Sequence, residues 1–200
     1  MDATDRTPYA ITKLTDCHWM NLYEMTYQRK GKPRRWTLCS RKGHPVADAA
    51  VADIVLIVPI VQTADGPRLV MTREFRAAIW DWEYGFPTGL IDKGETTDQA
   101  ARRELKEETG LTVTRMVYVS PPVYSSAGLT DESGAMVLVE AEGTLSSIHN
   151  EVHEEIEPML FDVPQIRQLL GSSNKIAAKA WGLLYHFAAT GTIAFSPHGL

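Results

Sequence analysis

The most apolar stretch of the chain is VADIVLIVPIVQ at residues 51–62, whose nearly unbroken Val/Ile content predicts a strand covered on both faces. Asp65-Gly66 then turns the chain back into RLVMTREF, which predicts a hairpin. Further β-rich runs follow at LTVTRMVYVS, GAMVLVEAEG and IEPMLFDV, and helical periodicity at VPQIRQLL and KIAAKAWGLLYHFAAT. In the last segment Ala177, Trp181, Leu184 and Ala188 form a stripe assigned to packing. Upstream, residues 19–29 and 34–41 are rich in Tyr, Trp, Thr and Leu and are split by Gly31-Lys32-Pro33, predicting two strands and a turn. No internal repeat or low-complexity tract occurs. Interleaved strands and helices imply an α/β fold with a mixed sheet between helices. The organisation predicted is a β-rich arm over residues 1–50 and a core domain over 51–200.

One further helix is signalled with both its ends. Thr96 and Gln99 form a capping-box pair, and Gly110 stands where a left-handed stop belongs. Between them Ala100, Ala101 and Leu105 supply an inner stripe, while Glu104, Glu107 and Glu108 fall at i, i+3 and i+4 on one side. Three carboxylates on one face repel unless a cation neutralises them, so the spacing suggests one divalent-ion shell. Arg103 can pair with Glu107 one turn on and aim the acidic row. Taken alone, the acidic triplet fits an ordinary solvated helix far better.

The full pattern is Gly89, five residues, Glu95, seven residues, then Arg103-Glu104-Leu105-x-Glu107-Glu108-x-Gly110-Leu111. It resembles the Nudix box without a departure. An accidental match has a probability on the order of 10⁻⁹ per start position. The resemblance implies the Nudix α/β/α sandwich, with the N-terminal β-strand extension added to it. It also implies hydrolysis of a phosphoanhydride with Mg²⁺, or Mn²⁺, held by Glu104, Glu107 and Glu108. Glu108 is expected to be indispensable, and Glu95 and Arg103 to fix the geometry of loop and helix.

Segments outside the box resemble the ADP-ribose and nucleotide-sugar pyrophosphatase branch. MTREFRAAIWDWEYGFPTG resembles its strand and entry to the box, which implies that Arg76 contacts substrate and that the Thr88 main-chain carbonyl joins the metal shell. Gly85 stands where the branch has glutamate, with Glu83 two residues earlier, and Arg73 is a second phosphate-clamp candidate. PPVYSSAGLTDES resembles the loop that folds over the terminal ribose, offering Gly128, Asp131 and Glu132, with Ala127 replacing the usual proline. HNEVHEEIEPMLFDVP resembles the acidic loop that supplies a general base or an additional ligand, and Glu154 fits best, with Glu151 and Glu155 beside it. The arm resembles the strand-rich extension through which this branch forms homodimers.

The implied reaction is cleavage of ADP-ribose to AMP and ribose 5-phosphate. Other nucleoside diphosphate sugars, such as GDP-mannose or ADP-glucose, remain alternatives, as does a non-catalytic nucleotide sensor. Composition narrows the partners. With 200 residues, 44% hydrophobic and net charge −5, the chain reads as a soluble protein able to bury a core. The acidic balance argues against nucleic acid, and the lack of a long apolar run or signal-like N-terminus against a membrane. Cys17 and Cys39 have no paired spacing, which favours a reduced, cytoplasmic setting.

Overall fold

The computed structural model describes residues 9–46, 51–148 and 155–193, and the chain divides into two compact units. The first runs to Val51 and takes in Tyr124–Ser133; the second comprises Ala52–Val123 and the chain from Gly134 onward.

In the first unit β1 (Tyr9–Lys13), β2 (Asn21–Arg29) and β3 (Lys32–Ser40) form an antiparallel sheet in that order. The turn is two residues long and one position earlier than expected. Lys30 and Gly31 both have positive φ, 53° and 67°, which gives the twist that a tight hairpin requires. Pro33 therefore lies within β3, opposite Gln28, on an edge strand that tolerates its missing N–H. β1 was not anticipated, because YAITK is too short and too mixed to carry a period-2 signal.

The second unit is built on β4 (Ile54–Thr63) and β5 (Gly66–Arg76). Their hairpin stays paired only from Ile60↔Leu69 to Thr63↔Gly66. Beyond it β5 pairs with β6 (Asp81–Gly85), and β4 pairs with β7 (Thr88–Leu90) through Ile54–Leu56. Pro59 sits in the gap between the two partners of β4. The Ile57 N–H points to that side, to the Pro87 carbonyl at 2.8 Å, so the donor that Pro59 lacks is one no strand there would have accepted.

α1 (Thr97–Thr109) follows, then β8 (Thr112–Val119), β9 (Val123–Tyr124) and β10 (Ser133–Glu142), with β10 parallel to β4 and antiparallel to β8. β11 (Ile156–Phe161) pairs with β5 from Ile156↔Glu74 to Phe161↔Leu69. α2 (Val163–Leu170), β12 (Lys175–Ile176) and α3 (Ala178–Thr190) complete the unit. β12 takes the first residues expected in the last helix, pairing parallel with Glu83 and Tyr84.

The continuous apolar run of β4 is explained by two cores. Leu56, Val58 and Ile60 face the cluster that holds Ile166 and Leu169 of α2 and Leu184 and Phe187 of α3. Val55 and Ile57 face the cluster that holds Ala100, Ala101 and Leu105 of α1. The unit is thus the α/β/α sandwich that the sequence implied. Leu105 is wholly buried, which contributes about 2 kcal/mol. The packing stripe of α3 needs correction. Its buried face is Ala180, Leu184, Phe187 and Ala188, while Trp181 is half exposed and stacks on Tyr185, ring centroids 5.6 Å apart.

Candidate active site

α1 starts and stops by local chemistry. The Thr96 hydroxyl accepts from the Gln99 N–H, the Gln99 side chain accepts from the Thr96 N–H, and Gly110 closes the helix at φ 74° with its N–H on the Lys106 carbonyl. These ends fix the phase of the helix: Ala100, Ala101 and Leu105 face the sheet, and the glutamates occupy the adjoining side.

Arg103 organises that side, and all five of its N–H groups have acceptors. Nε donates to Glu95 Oε1 at 3.0 Å, and Nη2 donates to Glu95 Oε2 and to the Leu90 carbonyl, both at 2.9 Å. Nη1 donates to Glu104 Oε1 at 2.8 Å and to Glu107 Oε2 at 3.1 Å. The Glu95 carboxylate, foremost, and then those of Glu104 and Glu107 push the guanidinium further above its ordinary pKa. In return Arg103 holds the Glu95 carboxyl below its usual 4.5, helped by the Asp92 N–H.

The linkage has a definite sign. Because the folded-state pKa of Glu95 is lowered, the stability it lends is complete above pH 4.5 and is lost as pH falls through the lower, folded value. The melting temperatures of wild type and Glu95→Gln are therefore expected to differ near neutral pH and to converge in acid. A gap that stays constant in a pH series of thermal melts would contradict this.

Glu108 is buried, 4% exposed, and the Thr88 N–H donates to both of its oxygens, at 3.4 and 3.3 Å. What reaches Glu108 from Thr88 is thus the amide N–H. β7 approaches α1 so closely that a Cβ on Gly89 would lie 1.8 Å from the Glu104 carboxyl carbon. The three glutamates expected to share an ion are read here without an ion between them. Among the described residues no three His, Cys, Asp or Glu side chains gather closely enough to hold an ion. The Arg103 guanidinium lies between two of the glutamates, Glu104 and Glu107.

The pleat of β5 separates the two arginine candidates. Val70 faces the α1 core, and Thr72, Glu74 and Arg76 continue on that side. There Arg76 pairs with Glu74 at 2.6 Å and Glu83 at 3.6 Å. Arg73 follows Leu69 and Met71 onto the face of α2 and α3, where it lies over the Trp82 ring, 4.2 Å from its centroid, and pairs with Glu157 at 2.8 Å. Glu74 was missed in the sequence, although its two-residue offset from Arg76 is the signal that places it.

Gly128 and Glu132 belong to the first unit, where Glu132 accepts from the Ser125 hydroxyl at 2.9 Å and pairs with Arg41 at 3.5 Å. Asp131 accepts from the Val46 N–H at 2.8 Å. Glu154 and Glu151 lie outside the described residues; Glu155 is exposed, and its carbonyl accepts from the Phe75 N–H at 3.3 Å.

An ADP-ribose pyrophosphatase of Saccharomyces cerevisiae is 32% identical over 138 residues, 68% of this chain and 58% of the relative. An ADP-sugar pyrophosphatase of Mus musculus is 31% identical over 135 residues, 65% and 59% of the two chains. The chain therefore spans less than two thirds of the length of these relatives. The crystal structure of an ADP compounds hydrolase superposes with a TM-score of 0.72 over 96% of this chain and 100% of that one, at 19% identity, and so shares the fold. The NUDIX domain matches residues 52–181, the stretch that carries the acidic face of α1, the Gly89 approach and the Arg103 hub, and the chain belongs to the NUDIX family.

Proposed function

We propose that the protein hydrolyses the pyrophosphate bond of ADP-ribose or a similar nucleoside diphosphate sugar, releasing AMP and a sugar phosphate. The observation that carries this reading is a single helix face bearing Glu104, Glu107 and the buried Glu108, braced by Arg103 and closed by Gly89. Relatives named for ADP-ribose and ADP-sugar hydrolysis support the substrate class.

The donor set fits a hard divalent cation. Carboxylate oxygens are the ligands such ions prefer, and burying the Glu108 carboxylate is costly without nearby positive charge. Glu104, Glu107 and Glu108 would hold Mg²⁺ or Mn²⁺, which when bound supplies charge neutralisation at the phosphate oxygens and a more acidic water. Thr88 N–H holds the Glu108 carboxylate in place, and Arg103 with Glu95 fixes the helix against the box loop. Glu154 is proposed as the loop base. Arg76, on the α1 side of the sheet, is proposed to bind the substrate's phosphates, with Glu74 and Glu83 fixing its guanidinium.

Arg76→Ala is accordingly expected to raise KM about tenfold, the value of a charged hydrogen bond. Arg73→Ala, on the opposite face, is expected to leave KM within about threefold while costing about 0.5–1 kcal/mol of stability through its lost stacking on Trp82. Steady-state kinetics and denaturant melts on both variants separate the two roles. Equal KM effects would show that pleat direction does not decide substrate contact.

The arm of residues 1–50 is proposed to form a homodimer, with the core at 51–200 carrying the chemistry, in the cytoplasm. Among the described residues no helix is long and apolar enough to cross a membrane. The deciding experiment is Mg²⁺-dependent phosphate release, coupled to a phosphatase, over ADP-ribose, ADP-glucose and GDP-mannose, with light scattering for the oligomeric state. Preference for ADP-ribose supports the reading. Tight binding without turnover on every compound would overturn it in favour of a sensor.

A further inference from the structure

Arg103 has two edges that are not equivalent. The Nε and Nη2 edge forms a bidentate pair with one carboxylate, Glu95, which is 14% exposed, and adds the Leu90 carbonyl. This is the paired fork geometry in which arginine binds most firmly. The Nη1 edge divides its two protons between carboxylates that belong to different turns of α1, Glu104 at 13% and Glu107 at 42% exposure. The Nη1 nitrogen thus stands between two of the three glutamates read above as ion ligands.

Electrostatics gives that placement a consequence. Glu104, Glu107 and Glu108 on one face repel, and positive charge between Glu104 and Glu107 relieves the repulsion. A divalent ion taking those same oxygens brings more charge to the same place and competes with the guanidinium for Glu104 Oε1 and Glu107 Oε2. The anchored edge does not have to move, because its acceptors lie on the box loop and in β7 rather than on α1.

We propose that Arg103 is a displaceable stand-in cation: its Nη1 edge yields Glu104 and Glu107 to an incoming divalent ion, while its Nε and Nη2 edge stays fixed on Glu95 and Leu90. This rests on the reading of Glu104 and Glu107 as ion ligands. It assigns Arg103 two effects of opposite sign. It stabilises the acidic face before an ion binds, and it lowers the apparent ion affinity, because its contacts must be given up.

Side-chain ¹⁵N NMR of Arg103 in the wild-type protein reads this directly, without any substitution. On saturation with Mg²⁺, rotation about the Cζ–Nη1 bond and exchange of the Nη1 protons are expected to speed up at least about tenfold, while the Nε signal stays protected. A second measurement is Mn²⁺ affinity by calorimetry. Arg103→Gln is expected to melt at a lower temperature than wild type without added ion yet to bind Mn²⁺ about tenfold more tightly, with Arg103→Lys between them. Nη1 protons unchanged at saturating Mg²⁺, or Mn²⁺ binding weakened in a folded Arg103→Gln, would overturn the proposal and make Arg103 a fixed brace. Those results leave the hydrolase reading intact. Nη1 release in a protein that turns over no substrate would sustain this proposal and sink the hydrolase reading, and failure of wild type to bind either ion would sink both.

Discussion

Replacing Glu108 by glutamine is expected to lower Mg²⁺-dependent turnover of ADP-ribose by about 10³-fold while leaving the fold in place. The side chain is buried near the end of α1, it is the glutamate that the Thr88 N–H reaches, and glutamine keeps its shape but not its charge. The loss follows from how such sites work. A carboxylate that holds the ion stabilises charge in the transition state, and removing one such preorganised contact costs about 10²–10³-fold even for a neutral donor. Stability should move the other way or hardly at all, since a buried charge is removed and an amide can still accept from Thr88. The pair of measurements is kcat by the phosphatase-coupled assay and the melting temperature. Turnover within threefold of wild type in a folded variant would exclude Glu108 from the chemistry. A large drop in melting temperature would mean that its role is structural.

The features that were legible in the sequence share a property: their causes lie within a few residues. The Thr96–Gln99 capping box and the Gly110 stop are written within one turn of helix, so α1 and the direction of its glutamates follow from local rules. The apolar run of β4 reports burial on both faces, and two cores supply it. What stayed hidden depends on distant partners. Glu132 and Asp131 pair with Arg41 and with the Val46 N–H, 91 and 85 positions away along the chain, a relation for which pattern carries no signal. β6, β7 and β12 are too short for periodicity and exist because β4 and β5 part beyond Ile60↔Leu69 and leave edges to be paired. The opposite directions of Arg73 and Arg76 were within reach, because an odd separation along a strand reverses the face. Charge alone marks both as phosphate clamps, and the pleat sets them on opposite faces.

Gly89 tests whether the site depends on backbone proximity as well as on carboxylates. Its φ is not in the left-handed region, so alanine brings no backbone strain there, and the whole effect of Gly89→Ala comes from the added methyl. That methyl would stand 1.8 Å from Cδ, 1.9 Å from Oε1 and 2.2 Å from Oε2 of Glu104, and no carbon approaches so closely. The obstacle is the end of a flexible side chain, so the cheapest relaxation is rotation of Glu104 away from β7, at a cost of about 0.5–1.5 kcal/mol for an off-rotamer χ. Turning away moves the carboxylate by more than an ångström, and a misplacement of about 1 Å in a catalytic constellation costs about 10²-fold in rate. Gly89→Ala is therefore expected to lose about 10²-fold in kcat, to weaken Mn²⁺ binding, and to melt within a few degrees of wild type. The same displacement removes the Glu104 acceptor from Arg103 Nη1, so the NMR signature of that edge should loosen before any ion is added. A fully active Gly89→Ala protein would show that Glu104 works from a position away from β7. An unfolded one would show that the close approach is required for packing rather than for catalysis.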